Sequence, residues 1–188
     1  MMGCTKLSVS PQFPLLIAAL LVLVPLPWIF AWLLAITIHE LSHYAALRLC
    51  GQSVYLVHVD IHAVQMQTAA LTHWQTVFCA LAGPVGGFML LAVAPIFPRA
   101  ALCAGFQSVY NLMPIFPLDG GRALHGLLSA FCSVSVADHA CRIAAYIVCC
   151  GILFFGIAAV FMWDLGFLPL FFGVLFCVRM KKIKFSCK

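Results

Sequence analysis

The sequence predicts an all-α polytopic membrane protein, with about six transmembrane helices and a short interfacial β element between the second and third. Three observations predict it. Hydrophobic residues make up 65% of the 188-residue chain and charged residues 8%, whereas a soluble domain is about half apolar and about a quarter charged. The mean hydropathy is +1.12, too high for a surface that must face water. The apolar residues also fall into runs close to the ~20 residues needed to cross a bilayer core.

Taken in order, the runs cover roughly 11–27, 28–49, 74–97, 99–118, 140–162 and 165–180. The first resembles a secretory signal, because Lys6 precedes an apolar stretch. No small-x-small cleavage site closes it before Pro25-Leu26-Pro27, so it is expected to stay as a membrane segment. Between the second and third runs, the stretch from Gln52 to Gln67 is rich in β-branched and aromatic residues. It reads as a short strand or hairpin at the cytoplasmic interface, where its edges can be covered. The fourth run ends in a Pro/Gly-rich stretch that no helix can cross unbroken. The whole chain, 1–188, is expected to be one integral-membrane domain with its core at 28–122.

Lysine and arginine placement orients these segments. With a cytoplasmic N-terminus and six spans, Lys6, Arg48, Arg122, Arg142, Arg179 and the basic tail from Lys181 to Lys188 lie on or near the cytoplasmic side. Only Arg99 lies opposite. Both termini are therefore expected in the cytoplasm of a multi-pass protein of a bacterial cell membrane. The net charge of +5 is spread along this topology and implies no nucleic-acid partner. The ten cysteines include Cys79, Cys103, Cys149, Cys150 and Cys177, scattered through apolar stretches. They form no framework and read as free thiols acting as small hydrophobes.

The second run carries Ile38-His39-Glu40-Leu41-Ser42-His43-Tyr44. On a helix, His39 and His43 are i and i+4 and share one face, suited to binding one zinc ion, with Glu40 beside them as a proton acceptor for water activated there. Two histidines and a glutamate within a membrane helix are costly, a central charge about 2.5–3.5 kcal/mol, unless they line a polar cavity or bind something. The bland alternative is a trio satisfying one another through interhelical hydrogen bonds.

A catalytic zinc needs a third protein ligand and an open position. Glu40 is the only glutamate, and Ala46 and Leu49 stand where an extended three-histidine motif requires glycine and histidine. The remaining carboxylates are Asp60, Asp119, Asp138 and Asp164, and the remaining histidines are His58, His62, His73, His125 and His139. Asp119 is the best candidate by context. It follows Asn111-Leu112-Met113-Pro114-Ile115-Phe116-Pro117-Leu118 at the broken end of the fourth run, where irregular backbone can line a cavity. The second and fourth runs both head toward the cytoplasm, so His39, His43 and Asp119 are expected at similar depth. Taken alone, Asp119 could equally cap the following helix.

These residues resemble the site-2 protease family of intramembrane zinc metalloproteases. The resemblance rests on His39-Glu40-Leu41-Ser42-His43, on the N-x-x-P-x-x-x-x-D-G pattern from Asn111, and on Ala82-Gly83-Pro84. It covers roughly Trp28 to Arg122. It implies His39, His43 and Asp119 as ligands of one Zn2+, Glu40 as general base, and Asn111 as an aid near the substrate or the transition state. It also implies a transmembrane or membrane-associated protein substrate, cut to release a cytoplasmic or membrane-held regulator, and a regulatory membrane partner. The strand near 54–62 matches the region where an unwound substrate would pair as an added strand. Many members carry an asparagine shortly after the Gly-Pro element, where this chain has Val85-Gly86-Gly87. The compact six-span plan is most similar to the sporulation-type branch, the stage IV sporulation protein FB group, without its C-terminal regulatory domain.

Two other functions compete. A divalent-metal transporter using the same ligands would need polar residues along a path, and the outer half of the chain has almost none. A noncatalytic membrane binding protein that keeps the fold would predict damage at Glu40, which is intact. A prenyl-type membrane protease would use a glutamate ligand that this chain lacks. Elsewhere, His58, Asp60 and His62 alternate on one strand face and read as wet interfacial residues. His73, His125 and His139 are expected near helix ends, Asp138 at the start of the fifth helix, and Asp164 in an outer loop.

Overall fold

The computed structural model describes residues 6–9, 18, 21–59, 64–163 and 174. Most of the first expected segment, all but one residue of the sixth, and Asp60, His62, Asp164, Cys177 and the basic tail lie outside them. The described residues are mostly helical, with one small sheet, and the chain divides into two compact units, Met1–Asn111 and Leu112–Lys188.

In the first unit, β1 (Lys6–Val9), β2 (Val54–Val59) and β3 (Val64–Thr68) form a sheet of order β1-β2-β3. β2 and β3 are the antiparallel hairpin expected from the Gln52–Gln67 composition, and β1 adds a parallel strand that the sequence had not indicated. The helices are α1 (Leu26–Leu49), α2 (His73–Met89), which continues as a 3-10 turn over Leu90–Val93, and α3 (Pro98–Asn111). Pro25-Leu26-Pro27 starts α1, since prolines suit a first helical turn whose N–H groups lack partners anyway. Thr72 caps α2, its hydroxyl accepting from the Gln75 N–H while the Gln75 side chain takes the Thr72 N–H.

One face of α1 is made of small or polar residues: Ala31, Ala35, His39 and Ala46 are buried, whereas Phe30, Leu34 and Leu41 are exposed. Small side chains let helix backbones approach closely where apolar surround gives no hydrophobic drive between helices. Ala35 packs with Leu90 and Ala104, while Ala46 and Leu47 pack with Cys79 and Val54. Later α1 residues therefore meet earlier α2 residues, so the two helices are antiparallel. At the other pairing, the Arg99 guanidinium lies over the Trp28 ring, 5.9 Å from its centroid, and Asn111 reaches His39. α1 and α3 thus run in the same direction, and His39 lies about 17 Å along α1 from that Trp/Arg end.

The second unit holds α4 (Asp119–Phe131) and α5 (Val134–Trp163), joined by a tight turn. Small residues again make the seam: Ala137, Cys141, Ala145 and Cys149 are buried at every fourth position of α5, and Ile115 packs on Ala145 and Cys149. Ile143, Tyr146, Ile147, Phe154 and Phe155 are exposed, an apolar surface suited to lipid.

Among the described residues two helices, His73–Val93 and Val134–Ala158, are long and apolar enough to cross a membrane. The fourth expected segment differs from the expectation. α3 spans only 14 residues, about 21 Å and short of the ~30 Å hydrocarbon core. The chain then breaks at Leu112–Leu118 and begins α4 at Asp119. Cys50, Cys79, Cys103, Cys132, Cys141, Cys149 and Cys150 are not joined in disulfides.

Candidate metal centre

The helical spacing of His39 and His43 brings their rings together edge to face, centroids 4.8 Å apart and planes at 86°. Their Nε2 atoms are 3.2 Å apart. His39 is 3% exposed while Leu41, two residues on, is 59% exposed, so the pair faces the helix interior of its unit.

The His43 ring is oriented from α2. Its Nδ1 lies 2.7 Å from the Cys79 carbonyl oxygen. A carbonyl can only accept, so Nδ1 carries the proton and Nε2 presents its lone pair toward His39. A backbone carbonyl on the far ring nitrogen is the usual device for fixing a metal-binding imidazole. On the His39 side, the Asn111 amide nitrogen lies 3.2 Å from Nε2. With that amide donating, both Nε2 atoms are acceptors that face one another, an arrangement that a cation between them would relieve.

The spacing suits zinc. Two nitrogens at about 2.0–2.1 Å from one tetrahedral ion stand about 3.3 Å apart, close to the 3.2 Å observed. Room for the two rings is made by Gly83, because a Cβ there would lie 2.8 Å from His39 Cε1 and closer still to His43. Pro84, buried beside it, has no N–H for the preceding turn, which loosens backbone bonding next to Cys79. Glu40 is half-buried on the same helical turn.

In the second unit, Asp119 is 7% exposed and occupies the first turn of α4, where a negative charge complements the helix dipole. The Arg122 guanidinium is 4.0 Å from its carboxylate. The turn leading to Asp119 is held by backbone bonds from Ile115 to Met113 and from Leu118 to Ile115. Gly120 allows close approach, since a Cβ there would press on the Leu112 and Met113 backbone. The Asx-cap alternative for Asp119 does not hold, because Leu118 is the cap residue.

The other expected positions divide. His73 opens α2 and His139 is exposed on α5. His125 and Asp138 instead pair with each other at 2.9 Å, His125 in the body of α4 and Asp138 one turn inside α5. The Phe116 ring meets His125 edge to face at 5.8 Å. Sequence reasoning missed this pair and also the roles of Cys79 and Gly83. The Cys79 contact is through the main chain and leaves no side-chain signature. Gly83 did carry a signal, a Gly-Pro step followed by Gly86-Gly87 inside an apolar helix, the small-x-x-x-small pattern of close packing.

No protein-family profile and no curated protein matches the sequence. Among solved structures the chain is similar to the Site-2 Protease from Methanocaldococcus jannaschii, at a TM-score of 0.65 and 17% identity, over 100% of this chain and 95% of that one. The helical fold with a small sheet, anticipated from the histidine and Asp-Gly motifs, is therefore matched by that of a site-2 protease. At that identity the likeness speaks for the fold, and the chemistry rests on the residues.

Proposed function

We propose that this protein is an integral-membrane zinc endopeptidase that hydrolyses peptide bonds of membrane-spanning or membrane-associated proteins. The observation that carries the reading is the His39–His43 pair, with Nε2 atoms 3.2 Å apart and the His43 tautomer set by the Cys79 carbonyl. In this reading His39 and His43 would supply two imidazole nitrogens to one ion, and Asp119, the carboxylate of the Asn111–Gly120 motif, would supply an oxygen. That is a three-ligand N/N/O set of the kind that leaves catalytic zinc one open position. Such an ion supplies Lewis acidity and lowers the pKa of water toward about 7.

The remaining steps belong to the chain. Glu40 takes a proton from the attacking water and delivers it to the leaving amine, a role worth roughly 10²–10⁴ in rate. Asn111, held beside His39, donates from its amide to the scissile carbonyl oxygen as charge develops there. The small sheet offers backbone partners to a substrate segment that must be extended before it can be cut. A multi-pass topology with both termini cytoplasmic completes the proposal, supported by the distribution of lysine and arginine; six spans would need the fourth to include the broken stretch that follows Asn111.

The test is cleavage of a co-expressed single-span protein by wild type, Glu40→Gln and Asp119→Ala, with metal content measured on each purified protein. The reading requires Glu40→Gln to hold zinc and cut nothing, and Asp119→Ala to lose the metal. Zinc-loaded Glu40→Gln cutting at the wild-type rate would overturn the mechanism, and wild type without zinc would overturn the site.

A further inference from the structure

Two thiols of the first unit lie together. Cys50 Sγ at the end of α1 is 4.0 Å from Cys79 Sγ in α2, within the cluster formed by Ala46, Leu47 and Val54. Cys79 is buried and Cys50 half-buried, so a small reagent reaches the pair from the Cys50 side. Beyond Cys50 the chain turns at Gly51, with φ of +73° and no atom within 4 Å of where a Cβ would stand. The end of α1 therefore has space to adjust. Cys79 has a second role, since its own carbonyl is the acceptor for His43 Nδ1.

We propose that Cys50 and Cys79 form a reversible intramolecular disulfide, a redox-sensitive modification site coupled to the metal centre through the Cys79 backbone. In the step, both S–H bonds break and one Sγ–Sγ bond forms. The two thiols lose two electrons and two protons, which reduce a low-molecular-weight disulfide to two thiols. Closing 4.0 Å to the ~2.05 Å of a disulfide draws Cys79 toward the end of α1. It shifts the carbonyl that orients His43, and loss of such an orienting contact lowers metal affinity by about 10–100-fold. Linkage makes the coupling reciprocal, so zinc must favour the dithiol form. A tenfold affinity difference corresponds to a reduction potential about 30 mV higher at saturating zinc.

The coupling rests on the zinc reading above, whereas the disulfide does not. The full chain in detergent is equilibrated with oxidised and reduced glutathione, its free thiols alkylated, and its cross-linked peptides mapped, with and without zinc. A Cys50–Cys79 cross-link that is reversed by reduced glutathione and absent from Cys50→Ser and Cys50→Ala supports the site. Glutathione caught singly on Cys50, or a bond from either residue to another cysteine, overturns it. For the coupling, zinc affinity is measured by chelator competition on both forms. A drop of tenfold or more on oxidation, absent in Cys50→Ser, is expected, and equal affinities overturn it. A zinc-induced shift in potential that persists in a His39→Ala/His43→Ala protein places zinc on the thiols and also overturns the coupling. If the reduced protein binds no zinc, the function proposed above and this coupling both fail, while the peptide map still decides the disulfide.

Discussion

The histidine pair and the aspartate are held by opposite means. His39 and His43 sit in the middle of a long helix whose own geometry sets their spacing, and their ring orientation comes from elsewhere in the sequence, from the Cys79 carbonyl and Asn111. Asp119 sits at the start of a 13-residue helix and is held by residues close in sequence: the turn from Leu112 to Leu118, Gly120 and Arg122. Ligands fixed by packing against a distant backbone are sensitive to small changes of shape. A ligand fixed by its local turn depends on that turn's bonding and on the hairpin that carries it.

The largest effect follows from the first half of that contrast. Gly83→Ala puts a methyl group against both imidazoles, and neither ring can move away without losing its partner. Zinc affinity is expected to fall 100-fold or more, the upper range for loss of ligand orientation, and cleavage with it. Helical content and unfolding temperature in detergent should change little by comparison. Affinity within threefold of wild type, measured by chelator competition, would falsify the view that Gly83 sets the space for the rings.

The second half predicts a different signature. His125→Ala removes the partner of Asp138 and the edge contact of Phe116, which joins α4, α5 and the turn before Asp119 within one unit. The His125 side chain is mostly buried but Asp138 keeps 32% of its side-chain surface, so water replaces part of the lost bond. A destabilisation of about 1–2 kcal/mol is expected, with His125→Gln recovering part of it. Zinc affinity should fall far less than in Gly83→Ala. A fall as large as that of Gly83→Ala, at unchanged stability, would mean that the two regions do not differ as described.

The same contrast explains what could be read from the sequence. An i, i+4 pair of histidines beside a glutamate is legible because helix periodicity alone puts the rings on one face. The segments expected at 28–49, 74–97 and 140–162 became helices at Leu26–Leu49, His73–Val93 and Val134–Trp163, since long apolar runs determine them. The fourth segment was read too long, because apolar character continues through Met113, Ile115 and Phe116 beyond the helix end at Asn111, although the prolines there announced a break. Hydropathy reads side chains, and the break is made by Pro114, Pro117 and the turn bonds. The extent of the helix after Asp119 was obscured by Gly120-Gly121, poor helix formers used here for close packing. The Cys79 carbonyl was beyond reach for a simpler reason: every residue offers the same main-chain carbonyl, and only tertiary structure says which carbonyl meets an imidazole.

The smallest effect tests how far the sensitivity of the first region extends. Ser42 lies between His39 and His43 in the chain and against Gly86, yet its hydroxyl is spent on the Ile38 carbonyl of its own helix at 2.8 Å. That carbonyl already accepts within α1, so the extra bond is dispensable, and back-bonding of this kind slightly destabilises helices. Ser42→Ala is therefore expected to change stability by no more than about 0.5 kcal/mol and to leave zinc affinity and cleavage at wild-type levels. A position one residue from a ligand would then be silent, while Gly83, forty residues away from that ligand's turn in the chain but touching its ring, is not. Loss of zinc from Ser42→Ala would show instead that the Ser42 hydroxyl helps set the helix geometry on which the His39–His43 spacing depends.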